Sequence, residues 1–264
     1  MGDGISIGTN AFCDIIYTHK LIDSKGLDNM EKKTLGILGG VGPLATMYIG
    51  EMIVRHTDAD RDQDHVDMVI TNNTAIPDRT AFIIDPEKTD PVPFIVRDTE
   101  RLAGAGADMI AIPCNTAHTF YREIAAASPV PVLNMIEETI KRAAEEGAEK
   151  LGILATDGTI ISRVYQDACE SKGIMPVLPD TDIQEAVMSI IYDYVKAGRP
   201  ADPALWAKVE ENMKEKGCDR VVLGCTELSI VKKELSLNEH YIDSLLVLAE
   251  KAILACGHSL RMHK

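Results

Sequence analysis

Positive charge is in short supply in this chain. Lysine and arginine number 27 against 41 aspartates and glutamates, a formal net charge of −14. A nucleic-acid binder would carry a basic patch, so nucleic acid is excluded as a partner. An anionic small-molecule substrate would need a few local cations to overcome the general field. Long hydrophobic runs are missing as well. No stretch approaches eighteen apolar residues, so a membrane-spanning helix is not expected. Asp3 and Asp14 interrupt the leader, which therefore does not read as a secretory signal. The six cysteines, at positions 13, 114, 169, 218, 225 and 256, form no CxxC pair and no tight framework. They read as reduced thiols, and the expected location is the cytoplasm.

Two of those cysteines lie in matched surroundings. Gly106-Ala-Asp-Met-Ile-Ala-Ile-Pro-Cys114 is answered by Gly217-Cys-Asp-Arg-Val-Val-Leu-Gly-Cys225. Each has glycine, a spacer and aspartate, then an apolar run, with cysteine eight positions after the glycine. A short apolar run bounded this way reads as a buried strand. The cysteine then falls just beyond the strand's carboxyl end, where open α/β sheets bind their ligands. Thr34-Leu-Gly-Ile-Leu-Gly-Gly is similarly echoed by Lys150-Leu-Gly-Ile-Leu-Ala-Thr. A repeat this long fits a duplicated domain rather than a solenoid.

Strand and helix patterns alternate along the chain, which argues for an α/β fold with parallel sheets covered on both faces. Strands are expected at 35–38, 66–71, 107–112, 130–133, 151–154 and 220–223. Helices are expected at 44–56, from Asp90 to Ala105, and at 116–126, 136–146, 160–171, 183–197, 204–216 and 243–255. Gly147 is a plausible boundary. The expected organisation is a leader over 1–33, an N-terminal α/β domain over 34–147 and a C-terminal α/β domain over 148–242. A last helix over 243–264 would pack back onto the first domain. Met30 sits before the opening strand like a chain start, so the leader is read as flexible or foreign to the folded protein, with little part in any site.

A cysteine between a strand end and a helix start is expected to have a lowered thiol pKa, because backbone N–H groups and the helix dipole favour the thiolate. Two such groups on opposite sides of one carbon form an acid/base pair. Mutual repulsion would leave one thiolate and one thiol. His118, four residues after Cys114, can tune the thiolate or simply pack. Cys13, Cys169, Cys218 and Cys256 read as structural.

Several stretches together resemble the aspartate racemase branch of the cofactor-independent aspartate/glutamate racemase superfamily: Leu35-Gly-Ile-Leu-Gly-Gly-Val-Gly-Pro-Leu-Ala-Thr46, Asn72-Asn73 through Ile76-Pro-Asp-Arg79-Thr-Ala, Pro113-Cys-Asn-Thr-Ala-His118, Met135-Ile-Glu-Glu-Thr139, Leu154-Ala-Thr-Asp-Gly-Thr159 and Gly224-Cys-Thr-Glu227. The likeness covers about residues 34 to 256. It implies two similar pseudo-symmetric α/β domains with the active site at their interface, and Cys114 and Cys225 as catalysts on the two faces of an amino acid's α-carbon. Arg79 and Lys196 would hold the side-chain carboxylate, and Asn115, Thr116 and Thr226 the α-carboxylate. Asn73, Val41 and Glu227 complete the implied substrate contacts. No pyridoxal phosphate or metal is implied, and the implied assembly is a homodimer.

Other readings remain open. Arg79 can be a solvated turn residue, Lys196 a complement to a helix dipole, and Glu227 an acid of a first helical turn. Gly40-Val-Gly42-Pro-Leu-Ala45, with acidic residues from Asp58 to Asp62 following, also fits a dinucleotide-binding turn. That pattern does not account for the paired cysteines. Glutamate racemase usually carries an Asp-Ser pair where this chain has Gly39-Gly40-Val41-Gly42. Broad-specificity and glutamate racemases, hydantoin racemases, maleate isomerases and arylmalonate decarboxylases share the scaffold, the last with one cysteine missing. A non-catalytic amino-acid-binding protein is the alternative from another class. Cys114 and His118 alone make too few ligands for zinc.

Overall fold

The computed structural model describes residues 32–262; Cys13 and the leader up to residue 31 lie outside the described residues, as do residues 263 and 264. The chain follows a strict order. β1 (Leu35–Gly39) leads to α1 (Pro43–His56), β2 (Met68–Asn72), α2 (Arg79–Ile84), α3 (Val92–Gly104) and β3 (Met109–Ala111). A 3-10 turn over Thr116–Phe120 opens into α4 (Tyr121–Ala127), and α5 is Met135–Glu145. The second half runs β4 (Lys150–Leu154), α6 (Asp157–Ile161), α7 (Val164–Ser171), β5 (Met175–Val177) and α8 (Thr181–Ser189). A π-helical turn over Ile190–Val195 continues α8. Then come α9 (Pro203–Glu215), β6 (Arg220–Leu223), α10 (Thr226–Leu235), β7 (Tyr241–Asp243) and α11 (Ser244–Ala255).

All strand pairs are parallel, in two sheets ordered β2-β1-β3 and β5-β4-β6-β7. The two sheets repeat one plan. The strand that opens each half is central, and the strand preceding a cysteine lies beside it. Val132 makes a parallel bridge to Ile110 on the outer side of β3, the place that β7 takes beside β6. This is the pseudo-symmetric α/β architecture expected from the repeated cysteine segments. Strands β1, β3, β4 and β6 are almost wholly buried, which explains their uninterrupted apolar sequences.

Core packing crosses the halves. Ile136, Ile140 and Ala143 of α5 pack with Leu151 and Ile153 of β4 and with Tyr165. In return, Leu245, Leu248, Ala252 and Ile253 of α11 pack with Leu35 and Ile37 of β1 and Ile49 of α1. Each sheet is thus covered by the helix that ends the other half. The boundary expected at Gly147 marks a turn in the chain, but α5 on its N-terminal side shares the core of the second sheet.

Side-chain caps start many helices where the sequence has Asp, Asn or Thr. Asp78 accepts from the Ala81 N–H, Asn134 from Ile136 and Glu137, and Asp243 from Leu245 and Leu246. The expected helix over 160–171 is broken at Arg163, whose φ is 59°. The expected helix over 183–197 changes pitch at Ile190. Short α2 and the short strands β5 and β7 carried too little periodic pattern to be foreseen, and of α10 only the start, just after Cys225, was expected. No helix among the described residues is long and apolar enough to cross a membrane.

Candidate active site

Both cysteine loops are built by backbone geometry just past a strand. After β3 the Cys114 N–H turns back to the Ile112 carbonyl at 2.8 Å. His118 accepts the Met135 N–H on Nε2 at 3.1 Å. That leaves Nδ1 to donate to the Cys114 carbonyl, 2.8 Å away. Burial lowers the His118 pKa, against the opposing effect of the Cys114 and Leu133 carbonyls. A neutral imidazole therefore holds the loop by its backbone rather than by its sulfur. Cys225 occupies the N-cap position of α10 in extended conformation.

Cys114 and Cys225 line one cavity of about 10 Å³, closed by residues of both halves. That is room for about one water. Arg79, Asn115, Thr116 and Val41 reach it from the first half, and Lys196, Thr226 and Glu227 from the second. Asp78, Thr80, Thr156 and Tyr192 line it too. None of these four was singled out from the sequence. Tyr192 lies four residues before Lys196, a helical spacing that placed both on one face. Thr156 follows β4 as the glycine loop follows β1.

The site is electrically asymmetric. Arg79 is 7% exposed. It donates Nη1 to the Pro77 carbonyl and Nη2 to the Val41 carbonyl, both at 2.9 Å. Its Nε is buried without a partner. Burial works against its charge, but Cys114 and Asp78 beside it raise its pKa further. Arg79 is therefore part of the wall next to Cys114 and not a solvated turn residue. On the other side, the Cys225 thiol donates to Glu227 Oε2 at 3.0 Å, and Thr226 Oγ1 donates to the same oxygen at 3.3 Å. Complete burial and the Glu227 carboxylate push the Cys225 thiol well above its ordinary pKa, with Lys196 pulling the other way. The lowering expected from the helix N-terminus does not win at Cys225, because desolvation of the thiolate and a neighbouring carboxylate both favour the neutral thiol.

Lys196 is an exposed residue, yet it lines the cavity and its ammonium lies over the Tyr192 ring, 4.2 Å from the centroid. Burial of that end opposes its charge. Glu227, Cys225, Tyr192 and Cys114 together outweigh this and carry its pKa to about 12. The site thus keeps two cations in an otherwise acidic protein.

Hydroxyls and amides close the rest of the wall. Thr116 Oγ1 lies 3.0 Å from Thr156 Oγ1 and 2.9 Å from Thr159 Oγ1, and Thr80 donates to Thr156 at 3.2 Å. This hydroxyl cluster joins the two halves. Asn115 is held on two sides. Tyr165 donates to its Oδ1 at 2.6 Å, and its Nδ2 donates to Ser244 Oγ at 3.1 Å. Most of its side chain therefore supports the cleft, leaving one amide N–H for a ligand.

Asn73 is not in the cavity wall. Its Nδ2 donates to Asp98 at 2.9 Å and its Oδ1 accepts from the Ala75 N–H at 3.1 Å. It stiffens the loop beneath Gly40. Gly40 has a φ of 88°, and a Cβ there would collide with the Asn73 backbone. This close approach accounts for a glycine that also fits a dinucleotide-binding turn.

Two matching α/β halves thus each give one thiol to a shared cavity that also holds Arg79 and Lys196. The chain belongs to the Asp/Glu/hydantoin racemase family, whose model matches residues 38–252. It is 31% identical over 226 residues to the broad specificity amino-acid racemase RacX of Bacillus subtilis (strain 168), covering 83% of this chain and 96% of that protein. A solved aspartate racemase from Picrophilus torridus is 32% identical, with a TM-score of 0.76 over 87% of this chain and 96% of that one. Glutamate racemase of Aquifex aeolicus (strain VF5) is 28% identical over 65% of each chain.

Proposed function

We propose that the protein racemises an acidic amino acid, aspartate foremost, without pyridoxal phosphate or metal. Cys114 and Cys225 would act as base and acid on opposite faces of the α-carbon. The observation that carries this reading is the meeting of both cysteines, Arg79 and Lys196 at one cavity. The α-carboxylate would lie against Thr116, Thr226 and the free amide N–H of Asn115. Donors aimed at it stabilise the charge that develops when the α-proton leaves. Arg79 and Lys196 would take the distal carboxylate. One thiolate removes the α-proton, the opposite thiol delivers its own, and the substrate leaves inverted. The wall must part to admit an amino acid, since the cavity holds about 10 Å³. Closing again excludes water from the carbanion.

A second specificity has an observation in its favour. A larger outer cavity of about 480 Å³ adjoins the site beyond Arg79 and Lys196, bordered by Pro43, Leu44, Ile76 and Val195. Longer, less polar side chains would extend into it, as a broad-specificity racemase requires. Chiral chromatography after incubation with L-aspartate, L-glutamate and a panel of neutral and basic amino acids separates the two. Turnover confined to aspartate supports the first reading, turnover across the panel the second, and none at all leaves the binding-protein alternative.

A homodimer is part of the same proposal. Leu44, Met47 and Val54 of α1 and Ile70 of edge strand β2 are exposed and apolar. They offer a face for a second copy, and light scattering would give the mass.

A further inference from the structure

The two cysteines have unlike neighbours. Cys225 has a carboxylate within hydrogen-bond distance, Glu227 Oε2 at 3.0 Å. Cys114 has the Arg79 guanidinium. If both cysteines work as a pair, each turnover leaves the free enzyme in the opposite form. A cycle that begins with a Cys114 thiolate and a Cys225 thiol ends with a Cys114 thiol and a Cys225 thiolate. Before the same enantiomer can react again, one proton must leave Cys114 and one must return to Cys225.

Glu227 is placed for that return. It lines both the closed inner cavity and the 480 Å³ outer one. Its Oε2 faces the Cys225 sulfur. Its Oε1 lies beside Gly42, where even a Cβ would come within 2.9 Å. Gly42 also borders the outer cavity and places no side chain between that oxygen and it. Lys196, the Thr226 hydroxyl, Tyr192, Asp78 and Arg79 complete the charged and titratable surroundings.

We propose that Glu227 is the route by which Cys225 recovers its proton from water in the outer cavity, and so sets how fast the free enzyme resets between turnovers. The step balances. Water gives a proton to Glu227 Oε1, and rotation or exchange within the carboxyl presents it at Oε2. The O–H bond then breaks as the Cys225 S–H bond forms, and Cys114 yields its proton to water. Glu227 acts through Cys225 and is a positioning and proton-holding residue. The proposal rests on the two-cysteine reading.

The test uses the full chain with Glu227→Gln, which keeps the size of the side chain and an acceptor for the Cys225 thiol but cannot carry the proton. Two rates are compared at saturating aspartate. Net conversion of L to D requires the free enzyme to reset. Exchange of radiolabel between the L and D pools of a racemic mixture does not, because D binds the very form that L leaves behind. The expected result is that net conversion falls at least about tenfold more than label exchange does, since loss of the carboxylate beside Cys225 slows the chemical step common to both rates. The pH at which net conversion becomes limited should shift in the variant. Equal loss of both rates, or no loss of either, overturns the proposal. If Glu227→Gln does not fold, Glu227→Asp is used. Its carboxylate is set back from the sulfur, and net conversion should still fall more than label exchange, by a smaller ratio. Wild-type protein that neither racemises nor exchanges label with any amino acid overturns the proposal together with the reading beneath it.

Discussion

Replacing Tyr165 by phenylalanine removes one oxygen from the interior and nothing else. Tyr165 is fully buried, and its hydroxyl donates to Asn115 Oδ1 at 2.6 Å. Asn115 passes the connection to Ser244 at 3.1 Å, and Ser244 donates to the Leu223 carbonyl at 2.6 Å. Asn115 directly follows Cys114, and Leu223 stands two residues before Cys225. The chain of bonds therefore ties one cysteine loop to the other across the cleft. In Tyr165→Phe the buried Oδ1 of Asn115 loses this donor, and an unpaired buried acceptor costs about 1–3 kcal/mol. For a domain of this size, about 2 kcal/mol lowers Tm by about 4–8 °C. The urea midpoint should fall in proportion with the slope unchanged. Racemisation should fall as well, because the loop carrying Cys114 loses its brace. Ser244→Ala interrupts the same chain, so the double variant should lose less than the sum of the single ones. A Tm within 1 °C of wild type, or strictly additive losses, would refute the idea that this chain holds the cleft.

Cys114→Ala and Cys225→Ala should each lower racemisation by about 10²–10⁴-fold or more, measured by chiral chromatography; a near wild-type rate in either would remove that cysteine from the acid/base pair. Arg79→Ala should raise KM for aspartate by about 10- to 100-fold, the worth of a lost charge-assisted hydrogen bond, and an unchanged KM would take Arg79 out of the binding site. Burial depresses the folded-state pKa of His118, so the unfolded chain binds this proton more readily. Stability from this group is present above the unfolded value, about 6.5, and is lost as pH falls below it. The urea midpoint of wild type should therefore drop more between pH 7 and 5 than that of His118→Asn, and equal drops would contradict the neutral assignment.

The parts of the fold that the sequence reveals are those governed by local pattern. Strand β6 was read at its full extent because Arg220 and three apolar residues stand between a glycine turn and a cysteine. The meeting of Cys114 and Cys225 followed from a repeat, since equal segments at equal strand ends face one cleft. The swap of α5 and α11 between sheets was only half legible. The last helix is apolar enough to need cover, yet which sheet it covers is decided by packing at long sequence separation. The sign of the Cys225 shift was missed for a similar reason. The helix terminus is visible in sequence, but complete burial and the orientation of the Glu227 carboxylate toward the sulfur are not. Asn73 shows the limit of motif reading: it stands in a loop rich in site residues, and its side chain is turned to Asp98.

The central claim is that two different groups, one on each face, handle the α-proton. The most direct test is to follow deuterium in both enantiomers during the first few per cent of L-aspartate turnover in deuterated water. If Cys114 and Cys225 work as a pair, the D-aspartate formed carries solvent deuterium at the α-carbon while the remaining L-aspartate stays protiated. If instead the recovered L-aspartate gains deuterium as fast as D-aspartate appears, a single base serves both faces and the account is wrong.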